Sequence, residues 1–263
     1  MNTKQHPTAI ISKKAQLGNN ITIGPYAIIE DDVIIKDGTT IGPHVYIANG
    51  ARIGEQCSIH KGAVVATVPQ DLKFKGEQTT FEIGAHTVVR EFCTLNRGTG
   101  ENGKTSVGSN CLLMAYTHVA HDCIVGNNVI LANSINMGGH VHIEDFVIIG
   151  GATVVHQFVS IGQHSMVGGN FRAVKDIPPY ILAGREPLSY ENLNIVGLRR
   201  RGFSQENINA IKEAYHLLYF SHLNVSQAIE KIQATLTITP EIQNILTFIK
   251  NSKRGIIGNH TRE

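Results

Sequence analysis

Starting at Ile11, an apolar residue recurs every six positions: Leu17, Ile23, Ile29, Ile35, Ile41, Ile47, Ile53, Ile59 and Val65. The same phase returns at Ile83, Val89 and Leu95, then runs from Val107 through Leu113, Val119, Val125, Leu131, Met137, Ile143, Ile149, Val155 and Ile161 to Val167. It fails only at Asp71, Glu77 and Glu101. Neither the 3.6-residue period of a helix nor the two-residue period of a strand produces this pattern. A repeat sustained this long predicts a solenoid in which each unit buries its apolar face only against its neighbours. If three six-residue steps close one turn, residues 18 apart become stacked neighbours, about 4.8 Å apart as in a parallel sheet.

Two further columns follow the same phase. The position two before the repeat residue holds mostly small or β-branched side chains, as at Ala9, Ala15, Ala27, Thr39, Ala51, Ala63 and Thr117. All four cysteines, Cys57, Cys93, Cys111 and Cys123, fall in this column without CxxC spacing, which makes them compact core residues rather than a zinc or redox motif. The position just after the repeat residue is often glycine, including Gly18, Gly24, Gly42, Gly54, Gly84, Gly108, Gly126, Gly150, Gly162 and Gly168. Their expected role is a tight corner with backbone angles that a Cβ would penalise.

The breaks predict projecting loops over residues 66–82 and 96–106. After residue 172 the repeat stops. Pro178-Pro179 and Gly184-Arg185-Glu186-Pro187 predict a connector. Helical patterning follows over 205–220 behind a Ser204 cap, from Ser226 to about Leu236, and from Pro240 behind a Thr239 cap. The expected division is a solenoid over residues 1–190 and a helical domain over 191–263.

A chain of 263 residues with a formal charge of +2 is too weakly basic for a general nucleic-acid binder, so the run Arg199-Arg200-Arg201 is expected to be a local patch. There is no signal-type apolar block near the start and no run of ~18 apolar residues, which predicts a soluble cytoplasmic protein without stable membrane insertion.

Of thirteen histidines, His44, His60 and His164 are expected on the surface. Eighteen-residue stacking instead gathers His118, His121, His140 and His156. It places His121, Gly139 and Gln157 in one column and Asp122 over His140 in the next. His121 can act as a general base near neutral pH and Asp122 can hold its tautomer; polar faces of ordinary strands would give the same spacing.

The repeat, over about residues 8–185, resembles that of the hexapeptide-repeat acyltransferases, which implies a mainly β chain folded as a left-handed parallel β-helix with a C-terminal α-helical domain. The handedness comes from the resemblance, since the general rule for parallel crossovers favours the right hand. The segments His118-Val119-Ala120-His121-Asp122-Cys123, Gly138-Gly139-His140-Val141, Val155-His156-Gln157-Phe158, Gln70-Asp71-Leu72-Lys73 and Leu198-Arg199-Arg200-Arg201-Gly202-Phe203 are together similar to the UDP-N-acetylglucosamine acyltransferases that begin lipid A biosynthesis.

That resemblance implies transfer of a 3-hydroxyacyl group from acyl carrier protein to the sugar 3-hydroxyl of UDP-N-acetylglucosamine. His121 would be the base, Asp122 would orient it, and the Gly139 amide would donate to the oxyanion. It further implies that His118, His140, Gln70 and Lys73 position the sugar and phosphates and that Asp71 accepts the acyl 3-hydroxyl. His156, Gln157, Asn194 and Arg200 would hold the nucleotide. Arg199 to Arg201 would offer charge to the acidic carrier, and Gly169 would be the floor of the acyl groove, roughly 13 Å along the axis from His121 at ~4.8 Å per coil. Val196 replaces a glutamate of the family, so that nucleotide contact is not carried over.

No cofactor or metal is implied, the carrier thioester being a co-substrate, and the family assembles as homotrimers with sites between subunits. The alternatives are another hexapeptide acyltransferase using coenzyme A or forming an amide, the same reaction on a 3-amino sugar, a γ-type carbonic anhydrase with three histidine ligands, and a non-catalytic solenoid.

Overall fold

The computed structural model describes residues 3–259. Each turn of the coil supplies one short strand to each of three sheets, of eleven, nine and eight strands. Pairing is parallel with an 18-residue step, as in Ile10 to Ile28 to Tyr46 to Val64, or His118 to Asn136 to Val154 to Arg172. The architecture is a left-handed parallel β-helix. The repeat residues are almost wholly buried and stack into one continuous core, with Ile47, Val65, Leu95, Val119, Leu131 and Ile149 all at 0% exposure. The four cysteines are buried free thiols, and burial raises Cys93 to about 11 and Cys123 to about 12, so neither is a thiolate near neutral pH.

The step lengthens at the two breaks in the repeat. Val64 pairs with Thr94 and Thr94 with His118, with the extra residues looping out between Thr67 and Thr80 and between Asn96 and Lys104.

The glycines after the repeat residue are required for a different reason from the expected one. None has a positive φ. A Cβ on Gly54 would lie 2.7 Å from the Ala85 nitrogen, and one on Gly108 2.5 Å from the Gly126 oxygen. Glycine is needed there because adjacent coils approach too closely for a side chain. The left-handed backbone occurs two residues later, at Tyr26, His44, Gln56, Phe92, Tyr116, Asp122, His140, Phe158 and His164. Aromatic and imidazole side chains at these corners stack coil on coil. Phe92 lies on Tyr116 and Phe146 on His164, at ring separations of 5.4 and 4.7 Å. His164, expected on the surface, is therefore buried, sandwiched between Phe146 and Tyr180 with the edge of Phe203 against it.

The last parallel strand of the coil, Ile181–Gly184, is followed by an antiparallel partner, Ser189–Leu193. Four helices follow: α1 (Ile195–Arg200), α2 (Gln205–Phe220), α3 (Val225–Thr235) and α4 (Pro240–Asn251). Ser204 and Thr239 cap α2 and α4 as expected, whereas Asn224, with Gln227 in a capping box, starts α3 a residue earlier than the sequence suggested. The helices bury Ile208, Ile211, Tyr215, Ile242 and Ile249 together. They dock on the end of the coil, where the Tyr215 hydroxyl donates to the Pro179 carbonyl at 2.7 Å.

Candidate active site

The site is built on one corner of the coil. Strand His118–Val119 turns at His121 and Asp122; one coil on, Asn136–Met137 turns at Gly139 and His140; one further, Val154–Val155 turns at Gln157 and Phe158. The His140 amide donates to the His121 carbonyl and the Phe158 amide to that of Gly139, which locks the three corners in register.

His121 Nδ1 lies 2.8 Å from Asp122 Oδ2. The Asp122 side chain is fully buried, in a left-handed conformation at φ 59. Its Oδ1 accepts the Thr99 amide at 3.0 Å and its Oδ2 the Thr99 hydroxyl at 2.7 Å, while its own amide donates to Thr105 Oγ1 at 2.7 Å. Burial presses Asp122 toward its neutral form. Hydrogen bonds from His121 and from both Thr99 groups, with the neighbouring His140, outweigh that and hold the carboxyl below its ordinary range. An ionised Asp122 accepts, so Nδ1 of His121 carries the proton and Nε2 presents a lone pair.

The His121 ring lies over Gly139. A Cβ at 139 would sit 2.6 Å from Cε1 and 2.7 Å from Nε2, so any side chain there would displace the ring. The Gly139 amide makes no hydrogen bond among the described residues. This follows from the coil, because the amide two residues after a repeat residue faces away from the ladder. Pro25 and Pro43 occupy the same position, and at some corners that amide donates to a side-chain oxygen of a neighbouring coil, as Asn127 does to Asp145 and Gln163 to Glu144. The fold thus leaves the Gly139 amide, equivalent in position to amides that elsewhere donate to side-chain oxygens, without a partner among the described residues beside the His121 ring.

His140 packs edge-on against His121 at 5.2 Å and stacks on Phe158 at 4.6 Å, with Nε2 3.8 Å from Asp122 Oδ2 and 4.0 Å from Glu101. His118 Nδ1 is 2.7 Å from Thr94 Oγ1. Burial, with the His121 ring adding to it, holds His118 below the ordinary imidazole range against the effect of Thr94. His121, Asp122 and His140 put one donor atom each within 4.8 Å of one another, a spacing a divalent ion could use. The Asp122 oxygens, however, are already taken by His121 and Thr99, which suits a carboxylate that orients a ring rather than a metal ligand.

The other predicted residues lie apart. His156 and Gln157 are exposed one coil beyond Gly139, with His156 Nδ1 3.0 Å from the Gln157 carbonyl. Asp71 closes a tight turn by accepting the Lys73 amide at 2.9 Å, beside an entirely exposed Leu72. Among the described residues no hydrogen bond, ion pair or ring contact joins Gln70, Asp71 or Lys73 to the histidines. Gly169 is exposed at the end of a different corner column, above Gly151. Asn194 is buried with both ends of its carboxamide committed, to the Gly197 amide as cap of α1 and to the His164 carbonyl. Arg200 is exposed, whereas Arg201 is half-buried, with its guanidinium over the Phe146 ring and donating to the Phe146 carbonyl. Sequence reading missed Thr99 and Thr105. Their only signal was that the second break in the repeat falls one coil before the His121 corner.

The second domain of the UDP-N-acetylglucosamine O-acyltransferase model matches residues 176–257, and the bacterial transferase hexapeptide model matches 14–49, 32–67 and 104–134. An acyl carrier protein-dependent UDP-N-acetylglucosamine O-acyltransferase of Chlorobaculum parvum is 50% identical over 95% of this chain and 95% of its own length. One of Chlorobaculum tepidum is 53% identical over 92% of each. Among solved structures, a UDP-N-acetylglucosamine acyltransferase of Bacteroides fragilis is 48% identical, superposes with a TM-score of 0.95, and is matched over 96% of this chain and 99% of that one. The corresponding structure from Acinetobacter baumannii gives 44% identity and a TM-score of 0.93, over 96% and 98%.

Proposed function

The chain belongs to the UDP-N-acetylglucosamine O-acyltransferase family, and from that premise we propose that it moves a 3-hydroxyacyl chain from acyl carrier protein to the 3-hydroxyl of UDP-N-acetylglucosamine in a single direct transfer. The observation that carries the mechanism is the pairing of an oriented imidazole, His121 on buried Asp122, with the unengaged amide of Gly139 one coil away.

His121 Nε2 takes the proton of the sugar hydroxyl as its oxygen attacks the thioester carbonyl. The Gly139 N–H donates to the oxyanion of the tetrahedral intermediate, an interaction worth roughly 3 kcal/mol. Collapse breaks the carbon–sulfur bond, and the protonated His121 returns its proton to the leaving thiolate. Asp122 stays ionised throughout and keeps the imidazolium in place. No acyl-enzyme is formed and no cofactor takes part.

His118 and His140 flank the sugar. Gln70, Asp71 and Lys73, which make no hydrogen bond, ion pair or ring contact with these histidines among the described residues, reach them from a neighbouring subunit of a homotrimer, and Asp71 accepts the acyl 3-hydroxyl. His156, Gln157 and Arg200 hold the nucleotide. Asn194, whose side chain is committed to the α1 cap, acts on the nucleotide through the placement of that helix. The solenoid part carries the chemistry, and the helical part presents Arg199 to Arg201 to the carrier. No helix among the described residues is long and apolar enough to cross a membrane.

A γ-type carbonic anhydrase would need three imidazoles converging on one ion, whereas the grouped donors among the described residues are two imidazoles and a carboxylate, His121, His140 and Asp122, and the Asp122 oxygens are already taken by His121 and Thr99. Mass spectrometry of the product formed by purified protein from UDP-N-acetylglucosamine, or its 3-amino analogue, and a panel of 3-hydroxyacyl carrier proteins tests the reading. A base-labile singly acylated ester from the ordinary sugar is expected. Product only from the amino sugar, or none from either, overturns it.

A further inference from the structure

Four consecutive residues in the second break, Asn96-Arg97-Gly98-Thr99, tie together parts of the molecule that the repeat alone would leave independent. The Asn96 carboxamide donates to Thr67 Oγ1 at 2.9 Å and to the Val68 carbonyl at 3.1 Å, and the Arg97 amide donates to the Thr67 carbonyl. The Arg97 guanidinium lies over the Phe74 ring and donates to the Asn49 carbonyl. Gly98 closes the far end of the same loop, its amide donating to the Thr80 carbonyl and its carbonyl accepting Thr79 Oγ1 at 2.6 Å. The next residue, Thr99, turns inward and gives both its donors to Asp122. The loop bearing Gln70, Asp71 and Lys73 and the His121–Asp122 pair therefore hang on one clasp.

The Thr99 hydroxyl has a specific task there. Asp122 Oδ2 is the oxygen that holds His121 Nδ1, and Thr99 Oγ1 is its other partner. A carboxylate with one fixed partner can still rotate and swing the imidazole with it. One held at Oδ1 by an amide and at Oδ2 by a hydroxyl cannot. The charged or titratable groups facing this carboxylate are His121, His140 and, through His140, the exposed Glu101.

We infer that Thr99 is a positioning residue of the acyl transfer, fixing the Asp122 carboxylate so that His121 presents Nε2 to the acceptor hydroxyl. The inference rests on the reading of His121 as the base and deepens it. Because the hydroxyl stabilises the unprotonated pair, its loss makes the pair bind a proton more tightly and moves the acid limb of the rate profile to higher pH.

The test compares Thr99→Val, which keeps the shape and the amide, with Thr99→Ser, which keeps the hydroxyl. With Val, kcat should fall on the order of tenfold, the loss expected for one hydrogen bond to a charged group, while KM for the nucleotide sugar stays near the wild-type value and the acid limb moves up. Ser should restore both. Titration of the His121 ring by NMR reads the same pair without substrate, so it still decides the matter if the wild-type protein proves to catalyse some other reaction; there too Val should raise the ring's apparent titration and Ser should not. Wild-type kcat, pH profile and ring titration in the Val variant overturn the inference. So does a Ser variant as impaired as Val, which would assign the effect to loop packing alone.

Discussion

His164 shows how one corner of the coil can be polar in type and apolar in use. Its ring fills a stack between Phe146 and Tyr180, its Nδ1 is buried without a hydrogen-bond partner, and burial with the nearby Arg201 charge lowers it to about 4 from 6.5. A histidine kept neutral in the folded state contributes nothing above pH 6.5. Between 6.5 and 4 the unfolded chain takes up the proton that the folded one refuses, so stability falls as pH falls through that window. The full difference corresponds to ~3 kcal/mol. His164→Phe, with the residue type already present at the equivalent corner in Phe92 and Phe158, should keep the stack and flatten the curve. Urea unfolding at pH 7 and pH 4.5 measures it; an equal loss of stability in both proteins would show that other groups titrate.

Among the elements, the coil was legible because a six-residue apolar period has no other physical source, and the helices because their caps and stripes are local. The reason for the glycines was not legible. A sequence cannot separate a glycine needed for positive φ from one needed for close approach, and the true left-handed corner is filled by Asn, Asp, Gln, Ser, Ala, His, Tyr, Phe or Gly, which share no signature. The His121, Gly139 and Gln157 column was readable from 18-residue stacking. Thr99 was not, because it lies where the repeat breaks and register cannot be counted across an insertion. His164 escaped for a related reason, since the corner stack that buries it is a property of neighbouring coils. Gly169 combines both issues. Its φ is ordinary, and a Cβ there would press to 3.0 Å on the Gly151 oxygen, so the coil must yield slightly to admit a side chain. If Gly169 floors the acyl groove, Gly169→Met shifts the optimum to a shorter 3-hydroxyacyl donor at a stability cost of about 1–3 kcal/mol. kcat/KM across a ladder of donors decides between a groove floor and a packing glycine, for which the ladder would keep its profile.

At the scale of the whole molecule, the coil carries His121 and the open Gly139 amide, and α1 holds a basic patch at its end. The patch is not uniform. Arg201 is docked on Phe146, while Arg200 is exposed and makes no ion pair or hydrogen bond among the described residues. Arg200→Ala should therefore raise KM for the carrier or the nucleotide and weaken the salt dependence of kcat/KM without altering stability; unchanged KM for both at low salt would make Arg200 a solvated surface residue. The central claim is that one imidazole, aimed by Asp122 and set beside the Gly139 amide, performs the transfer on a nucleotide sugar held by other groups. It is tested most directly by turnover of His121→Ala with UDP-N-acetylglucosamine and a 3-hydroxyacyl carrier protein, alongside calorimetric binding of the nucleotide sugar to the same variant. The prediction is loss of turnover with binding retained. A near-normal kcat in the variant would contradict it.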